Sequence, residues 1–210
     1  MVPGSDGIVA DAVEGLKVAK EVGFPVMIKA TAGGGGRGMR PAMSEDEFKS
    51  QFQAASKEAE ACFNNGDCYI EKLVLEPHHI EFQVLADDHG NYFHLGERDC
   101  SMQRRNQKII EECPSPLISP EMRERMGEAS VRLIESISYR NAGTIEYLVN
   151  ADATDFYFME MNTRIQVEHP VTEEVMGCEL IKEQIRIAFG QPVSDHVLGV
   201  EPRGHSIECR

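Results

Sequence analysis

The sequence predicts an α+β fold, on three observations. Helical and strand patterns both recur along its 210 residues. They mix without the strict strand–helix–strand alternation of a doubly wound sheet. No apolar run reaches the roughly eighteen residues of a membrane span. With 41% hydrophobic residues the chain can bury a sizeable core, as one domain or as two small lobes.

The elements follow in order. Val13, Leu16, Val18, Ala19 and Val22 recur at near-helical spacing, so residues 11–23 read as a helix with Gly23 as its C-cap before Pro25. Val26-Met27-Ile28 reads as a strand. Ser44-Glu45-Asp46-Glu47 has the form of a capping box and opens a helix through Phe48, Phe52 and Ala55 to about residue 63. These elements make a small α/β lobe whose boundary is expected at Lys72, giving lobes 1–72 and 73–210. Strand patterns then recur over 69–74, 79–86 and 92–98, with Asp88-His89-Gly90-Asn91 as hairpin chemistry between the last two. Ser119-Pro120-Glu121 starts a helix to about residue 138, with proline in its first turn. Two strand runs, 144–149 and 156–161, flank the polar turn 150–155, and residues 172–189 read as one long amphipathic helix closed near Gly190. There is no internal repeat, low-complexity tract or proline-rich linker.

Composition excludes several classes. A formal net charge of −14 argues against a general nucleic-acid surface, because phosphate backbones need a clustered Lys/Arg footprint. Residues 1–7 have neither the basic end nor the apolar stretch of a signal peptide, so a cytoplasmic or organelle-matrix protein away from membranes is expected. The six cysteines (62, 68, 100, 113, 178 and 209) form no CxxC pair and no zinc-finger spacing, and read as reduced thiols.

Four constellations could carry chemistry. In the first, Gly33, Gly34, Gly35, Gly36 and Gly38 put five glycines in six positions around Arg37, exposing N–H groups that can wrap phosphate oxygens. Lys29, on the strand before, offers a charge to the same phosphates, which weighs against a merely flexible surface loop. A dinucleotide-binding reading fails because no helix onset follows, and a Walker A reading fails because no Gly-Lys-Ser/Thr ends the loop. The second pairs Glu146 with Glu160 and Asn162 on neighbouring strands, an all-oxygen set suited to Mg²⁺ or Mn²⁺. Singly, each acid reads as a solvated face residue. The third packs Asn162, Arg164, Gln166, Glu168 and His169 into one loop before a helix. Arg164 could clamp a planar oxyanion and Glu168 could take its proton, while His169 reads as packing or helix N-terminal. The fourth, residues 97–108, reads as a charged loop after a strand, either a salt-bridged turn or an anion site.

With these pieces in order, the chain resembles biotin carboxylase over essentially its whole length. The strings KATAGGGGRGM, ERDCSMQRR, EMNTRIQVEHPVTE and RGHSIECR carry the resemblance. It implies an ATP-grasp fold of two α+β lobes with a glycine-rich lid, and the ATP-dependent carboxylation of carrier-bound biotin by bicarbonate. Lys29 and the loop from Gly33 to Gly38 would hold phosphates. Glu71, Lys72 and Leu148 would line the adenine pocket, and His79 and Gln103 would face the ribose or phosphates. Glu146, Glu160 and Asn162 would hold two Mg²⁺ or Mn²⁺ ions. Arg164, Gln166 and Val167 would bind bicarbonate, Glu168 would deprotonate it, Lys108 would stabilise the transferring charge, and Arg210 would steady the biotin oxygen. The implied partners are a biotin carboxyl carrier protein or domain and a carboxyltransferase, with the full-length enzyme a homodimer and fatty acid biosynthesis among its settings.

The resemblance has departures. Asn106 stands where the family usually shows a histidine, the turn 150–155 is slightly longer than in bacterial relatives, and the chain starts and stops inside the family pattern, so flanking domains are expected to be missing. Another bicarbonate-using ligase, such as a carbamoyl-phosphate synthetase half, or a nucleotide-binding remnant without turnover, are the alternative readings.

Overall fold

A computed structural model describes residues 2–34, 37–105 and 107–210, without the side chains of residues 33, 34 and 37. Gly35, Gly36, Asn106 and the side chain of Arg37 therefore lie outside the described residues. By its contacts the chain forms two units, Met1–Val74 and Leu75–Arg210.

In the first unit, helix α1 (Ala12–Val22) starts where Asp11 accepts hydrogen bonds from the amides of Val13 and Glu14 at 2.7 and 3.0 Å. It stops at Gly23, whose φ of 81° a side chain would strain. Strands β1 (Val26–Gly34) and β2 (Arg37–Ala42) form an antiparallel hairpin in which Gly34 pairs with Arg37. Helix α2 (Glu45–Phe63) and strand β3 (Cys68–Lys72) complete a three-stranded sheet of order β2-β1-β3. The expected capping box does not form, and Glu47 reaches past the cap residue instead. Glu47 accepts from the Met43 amide at 3.1 Å, while the Ser44 hydroxyl makes no cap bond. Val26, Ile28 and Ala30 alternate along β1 into a core with Phe48, Phe52 and Ile70. Gly38 sits at φ +73°, where a Cβ would stand 2.8 Å from that of Ala30.

The second unit is a six-stranded antiparallel sheet of order β8-β7-β4-β5-β6-β9. Its strands are β4 (His78–Ala86), β5 (Tyr92–Arg104), β6 (Gln107–Cys113), β7 (Asn141–Val149), β8 (Phe156–Asn162) and β9 (Ser206–Cys209). Residues 99–104, expected as a loop, instead extend β5 and pair with β6, so Asp99 and Arg104 are held on a ladder. Helix α3 (Pro120–Ser136), capped by Ser119, covers one face through Met122, Met126 and Ile134. The expected long helix over 172–189 is two helices, α4 (His169–Met176) and α5 (Leu180–Ala188). Gly177 at φ 63° ends α4, and the Glu173 carboxylate accepts the Leu180 amide at 2.5 Å across the break. The amphipathic spacing survives the bend, which is why sequence periodicity ran through it. Leu180 and Ile187 pack with Leu85 and Leu95 on the sheet's other face. All six cysteines are free, four of them buried.

Candidate functional site

Strand register builds the site. On the α4 face of the second sheet, Glu160, Glu146, Glu81 and Arg98 are successive cross-strand partners on β8, β7, β4 and β5. A bulge in β8 makes this row possible. Tyr147 pairs with Phe158, so regular pairing would set Met159 against Glu146, but the register shift brings Glu160 there instead. Three directly opposed carboxylates repel one another, and such a row needs cations.

Two side chains supply them. Arg98 is fully buried and donates to Glu81 Oε1 at 2.5 Å, to Gln83 at 2.8 Å and to Thr172 at 2.9 Å, with longer bonds to Thr144 and Gln166 at 3.3 Å. Lys108, near the start of β6, spends its three protons on Glu81 Oε2 (2.6 Å), Glu146 Oε1 (3.0 Å) and Glu168 Oε1 (2.8 Å). Burial opposes the charge on Lys108, but Glu81 and the other acceptors outweigh it and raise its pKa. Burial likewise works to raise Glu146, yet the His79 ring and the Lys108 ammonium hold its carboxyl far below the usual range. Glu168 is depressed in the same way, with Lys108 the chief opponent of its desolvation. Its second oxygen accepts from Arg210 Nη2 at 2.9 Å, so the expected base is held by a cation at each oxygen.

These groups surround a cavity of about 320 Å³. Its lining includes Glu146, Glu160 and Asn162, expected to hold metal; Arg164, Gln166 and Val167, expected to hold bicarbonate; and Lys108, Glu168 and Arg210. Arg164 is exposed and, among the described residues, bonds to Asn162 Oδ1 (3.1 Å) and the Ile165 carbonyl, which leaves part of its fork for an anion. Gln166 is buried, its amide donating to Glu146 at 2.8 Å, while Val167 is 61% exposed. His169 Nδ1 donates to the Gln166 carbonyl (2.8 Å) where α4 begins, a helix-start role.

The oxygen set suits a hard divalent cation. Glu146 and Glu160 face each other on one rung, Lys108 neutralises only the former, and exposed Glu160 receives a single 3.4 Å contact from Asn162. The residues present therefore fit a metal.

His79 is the cross-strand partner of Leu148 and lies 3.1 Å from Gln103 Nε2, which also donates to the Cys100 carbonyl. Its Nε2 stands 3.3 Å from Glu146 without an aligned hydrogen bond. In the first unit, Lys29 pairs with Glu71 at 2.5 Å, and Lys72 donates to the carbonyls of Gly23 and Phe24 at 2.8 and 3.0 Å. Gly33 and Gly34 end β1 and Arg37 opens β2.

Glu81, Gln83, Arg98 and Glu111 were not singled out from sequence. A signal was available: Glu81 and Gln83 interrupt an otherwise apolar strand run at alternate positions, the mark of a buried polar face.

Residues 1–196 match the family model described as the carbamoyl-phosphate synthase L chain, ATP-binding domain. A biotin carboxylase from Nostoc sp. is 59% identical over 209 residues, covering 100% of this chain and 46% of that protein. Among solved structures, a biotin carboxylase complex with β-γ-ATP from Campylobacter jejuni superposes with TM-score 0.91 at 48% identity, over 100% of this chain and 47% of its own. The biotin carboxylase domain dimer of Hydrogenobacter thermophilus 2-oxoglutarate carboxylase, with MgADP, ADP and bicarbonate, gives TM-score 0.90 at 50% identity, over 100% and 46%. The chain spans less than half the length of the curated relatives it matches.

Proposed function

We propose, since this chain belongs to the carbamoyl-phosphate synthase L-chain ATP-binding domain family and its near relatives are biotin carboxylases, that it carries the site for ATP-dependent carboxylation of biotin by bicarbonate. The carrying observation is the Lys108 ammonium shared by buried Glu81 and by Glu146 and Glu168, with Lys108, Glu146, Glu168, Arg164 and Arg210 opening on one cavity. A site balanced between buried acids and cations binds a small oxyanion by exchanging partners, with little net charge change.

Bicarbonate enters against Arg164, whose planar fork suits it, with Gln166 and the Val167 backbone beside it. Lys108 and Arg210 then turn from Glu168 to the incoming anion. Relieved of both cations, Glu168 becomes a stronger base and takes the bicarbonate proton. The freed oxygen attacks the γ-phosphoryl group of ATP; ADP leaves and carboxyphosphate forms. Carboxyphosphate breaks into CO₂ and phosphate, phosphate takes the ureido proton of biotin, and the biotin nitrogen captures CO₂. Arg210 steadies the negative biotin oxygen, and Lys108 the transferring charge. Two Mg²⁺ or Mn²⁺ ions at Glu146, Glu160 and Asn162 would supply charge neutralisation for the phosphates. Lys29, the glycine-rich stretch from Gly33 to Gly38, Glu71 and Lys72 in the first unit, and His79, Gln103 and Leu148 in the second, are the nucleotide-holding groups in this reading.

The reading brings a biotin carboxyl carrier and a carboxyltransferase as partners, and a homodimer as the full-length assembly, as in the Hydrogenobacter domain dimer. A cytoplasmic or matrix location accompanies it. Among the described residues no helix is long and apolar enough to cross a membrane.

The test is ADP release by the purified chain with MgATP, bicarbonate and free biotin, each omitted in turn. Release that requires bicarbonate, and that Glu168→Gln lowers by about 10²–10⁴-fold, is expected. Bicarbonate-independent release, or full activity in Glu168→Gln, sinks the assignment of the base. Ammonia-dependent release without biotin would instead mark a carbamoyl-phosphate-type ligase.

A further inference from the structure

Glu111 lies on β6 with none of its surface exposed, outside every group assigned above. Its cross-strand partner on β9 is Glu208, so two carboxylates face each other one residue pair from the end of the sheet. Among the described residues, the arginine beside them is Arg210. A single nitrogen of that guanidinium, Nη2, contacts both Glu111 Oε1 and Glu168 Oε2. Among the described residues neither oxygen of Glu111 receives an aligned hydrogen bond, and the buried Oε2 of Glu208 has no partner either.

We infer that Glu111 is the positioning residue for Arg210, tethering its guanidinium through the step in which Glu168 loses its charge. This inference rests on the proposed carboxylation. In that reading Arg210 has already turned from Glu168 to the incoming anion when the proton moves, and a neutral Glu168 cannot restore the ion pair to Nη2. Without a second anchor the guanidinium would swing towards solvent just when the biotin oxygen needs it. Glu111 supplies that anchor from the rigid floor of the sheet, and its lack of aligned donors leaves Arg210 as its only counter-charge among the described residues. Glu208, opposite, adds negative charge on the same side. Its carboxyl is pushed up by burial and then by Glu111, with Arg210 and His169 acting against that and Glu168 with it.

The test compares wild type with Glu111→Gln in the full chain, using ¹⁵N spectra of the arginine side chains, with the Arg210 signal assigned by its absence in Arg210→Lys. In a Glu168→Gln background, which mimics the neutral carboxyl, slow rotation about the Arg210 Nε–Cζ bond is expected with Glu111 present and fast rotation with Glu111→Gln. Carboxylation of biotin should fall between about tenfold and a hundredfold, through kcat, with the KM for ATP unchanged. Glu111→Asp, which keeps the charge, should recover part of both, and serves if Glu111→Gln does not fold. Arg210 rotation in that background that Glu111→Gln leaves unchanged, or, where that variant does not fold, that the shorter Glu111→Asp leaves unchanged, overturns the tether. The spectra decide this without turnover, so an inactive wild-type chain refutes the proposed function and leaves the tether to be judged by Arg210 alone.

Discussion

Replacing Arg98 with methionine tests the centre of the polar layer. The side chain is fully buried and donates five hydrogen bonds to residues on β4, β7, the 162–168 loop and α4. Arg98→Met keeps most of the volume but leaves Glu81, itself without exposed surface, with Lys108 as its remaining cation. Breaking a buried ion pair from one side costs about 3–5 kcal/mol. The Thr144 and Thr172 hydroxyls can turn elsewhere, whereas the carbonyl oxygens of Gln83 and Gln166 lose a donor, at roughly 1–3 kcal/mol each if left dry. These costs overlap, and about 4 kcal/mol is expected for the second unit, a large share of the ~5–15 kcal/mol typical of a domain. With a urea slope near 2 kcal/mol/M, the midpoint falls by about 2 M. Near-ultraviolet circular dichroism of tyrosine reports it, because Tyr92, Tyr139, Tyr147 and Tyr157 lie in the second unit and only Tyr69 in the first. Adding Glu81→Gln removes the orphaned charge and should return about 1–3 kcal/mol, a coupling that a double-mutant cycle isolates. A single-variant loss under about 1 kcal/mol, or strict additivity, refutes the claim that the Arg98–Glu81 pair organises this layer.

Lys108→Met should flatten the acid limb of stability. Glu146 and Glu168 have folded pKa values below the ordinary 4.5. Their contribution is therefore fully present above that pH and lost as pH falls through the folded values. Without Lys108 the depression shrinks, and the melting temperature should fall less steeply below pH 4.5; an unchanged slope would refute the pairing. Gly38→Ala puts a Cβ 2.8 Å from that of Ala30 at φ +73° and should cost roughly 1–3 kcal/mol, in the unfolding transition of the first unit only, as followed by Tyr69 fluorescence. Glu160→Gln should weaken Mn²⁺ binding by about 10-fold or more in water-proton relaxation titrations, without changing the urea midpoint, because Glu160 is exposed. Equal Mn²⁺ affinity would remove Glu160 from the metal set.

Much of this was legible in the sequence, for identifiable reasons. Caps, glycines and alternation are local signals, so Asp11, Gly23, Ser119 and the 156–161 run marked elements that the structure contains. Two local patterns misled. Amphipathic spacing is indifferent to a tight bend, so Gly177 and Cys178 were read through as helix although Gly177 holds a left-handed cap. A run of charges suggested a loop at 97–108, where cross-strand pairing continues β5 to Arg104 and buries Glu97, Arg98 and Asp99. Residues gathered in short strings, such as Arg164 to Glu168, could be found together. Glu81, Arg98 and Glu111 could not be connected, because what joins them is register between strands far apart in the chain, and the β8 bulge that aligns Glu160 with Glu146 leaves no trace in composition.

The same register explains why the site rests in a closed electrostatic arrangement. Glu146, Glu81 and Glu168 are balanced by Arg98, Lys108 and Arg210, so the buried layer holds no large uncompensated charge. A base gripped at both oxygens by cations is a poor base, and this one becomes effective only when an anion draws those cations away. Substrate and base thus compete for the same nitrogens, and proton abstraction follows from occupancy. Arg98 has no part in that exchange, because its five bonds are internal and it cannot deprotonate. It fixes Glu81 and Gln166 while Lys108 and Arg210, each partly exposed at the cavity, are free to change partners. The division between one immobile cation and two movable ones is what lets a buried acidic layer be stable at rest and responsive to a bound oxyanion.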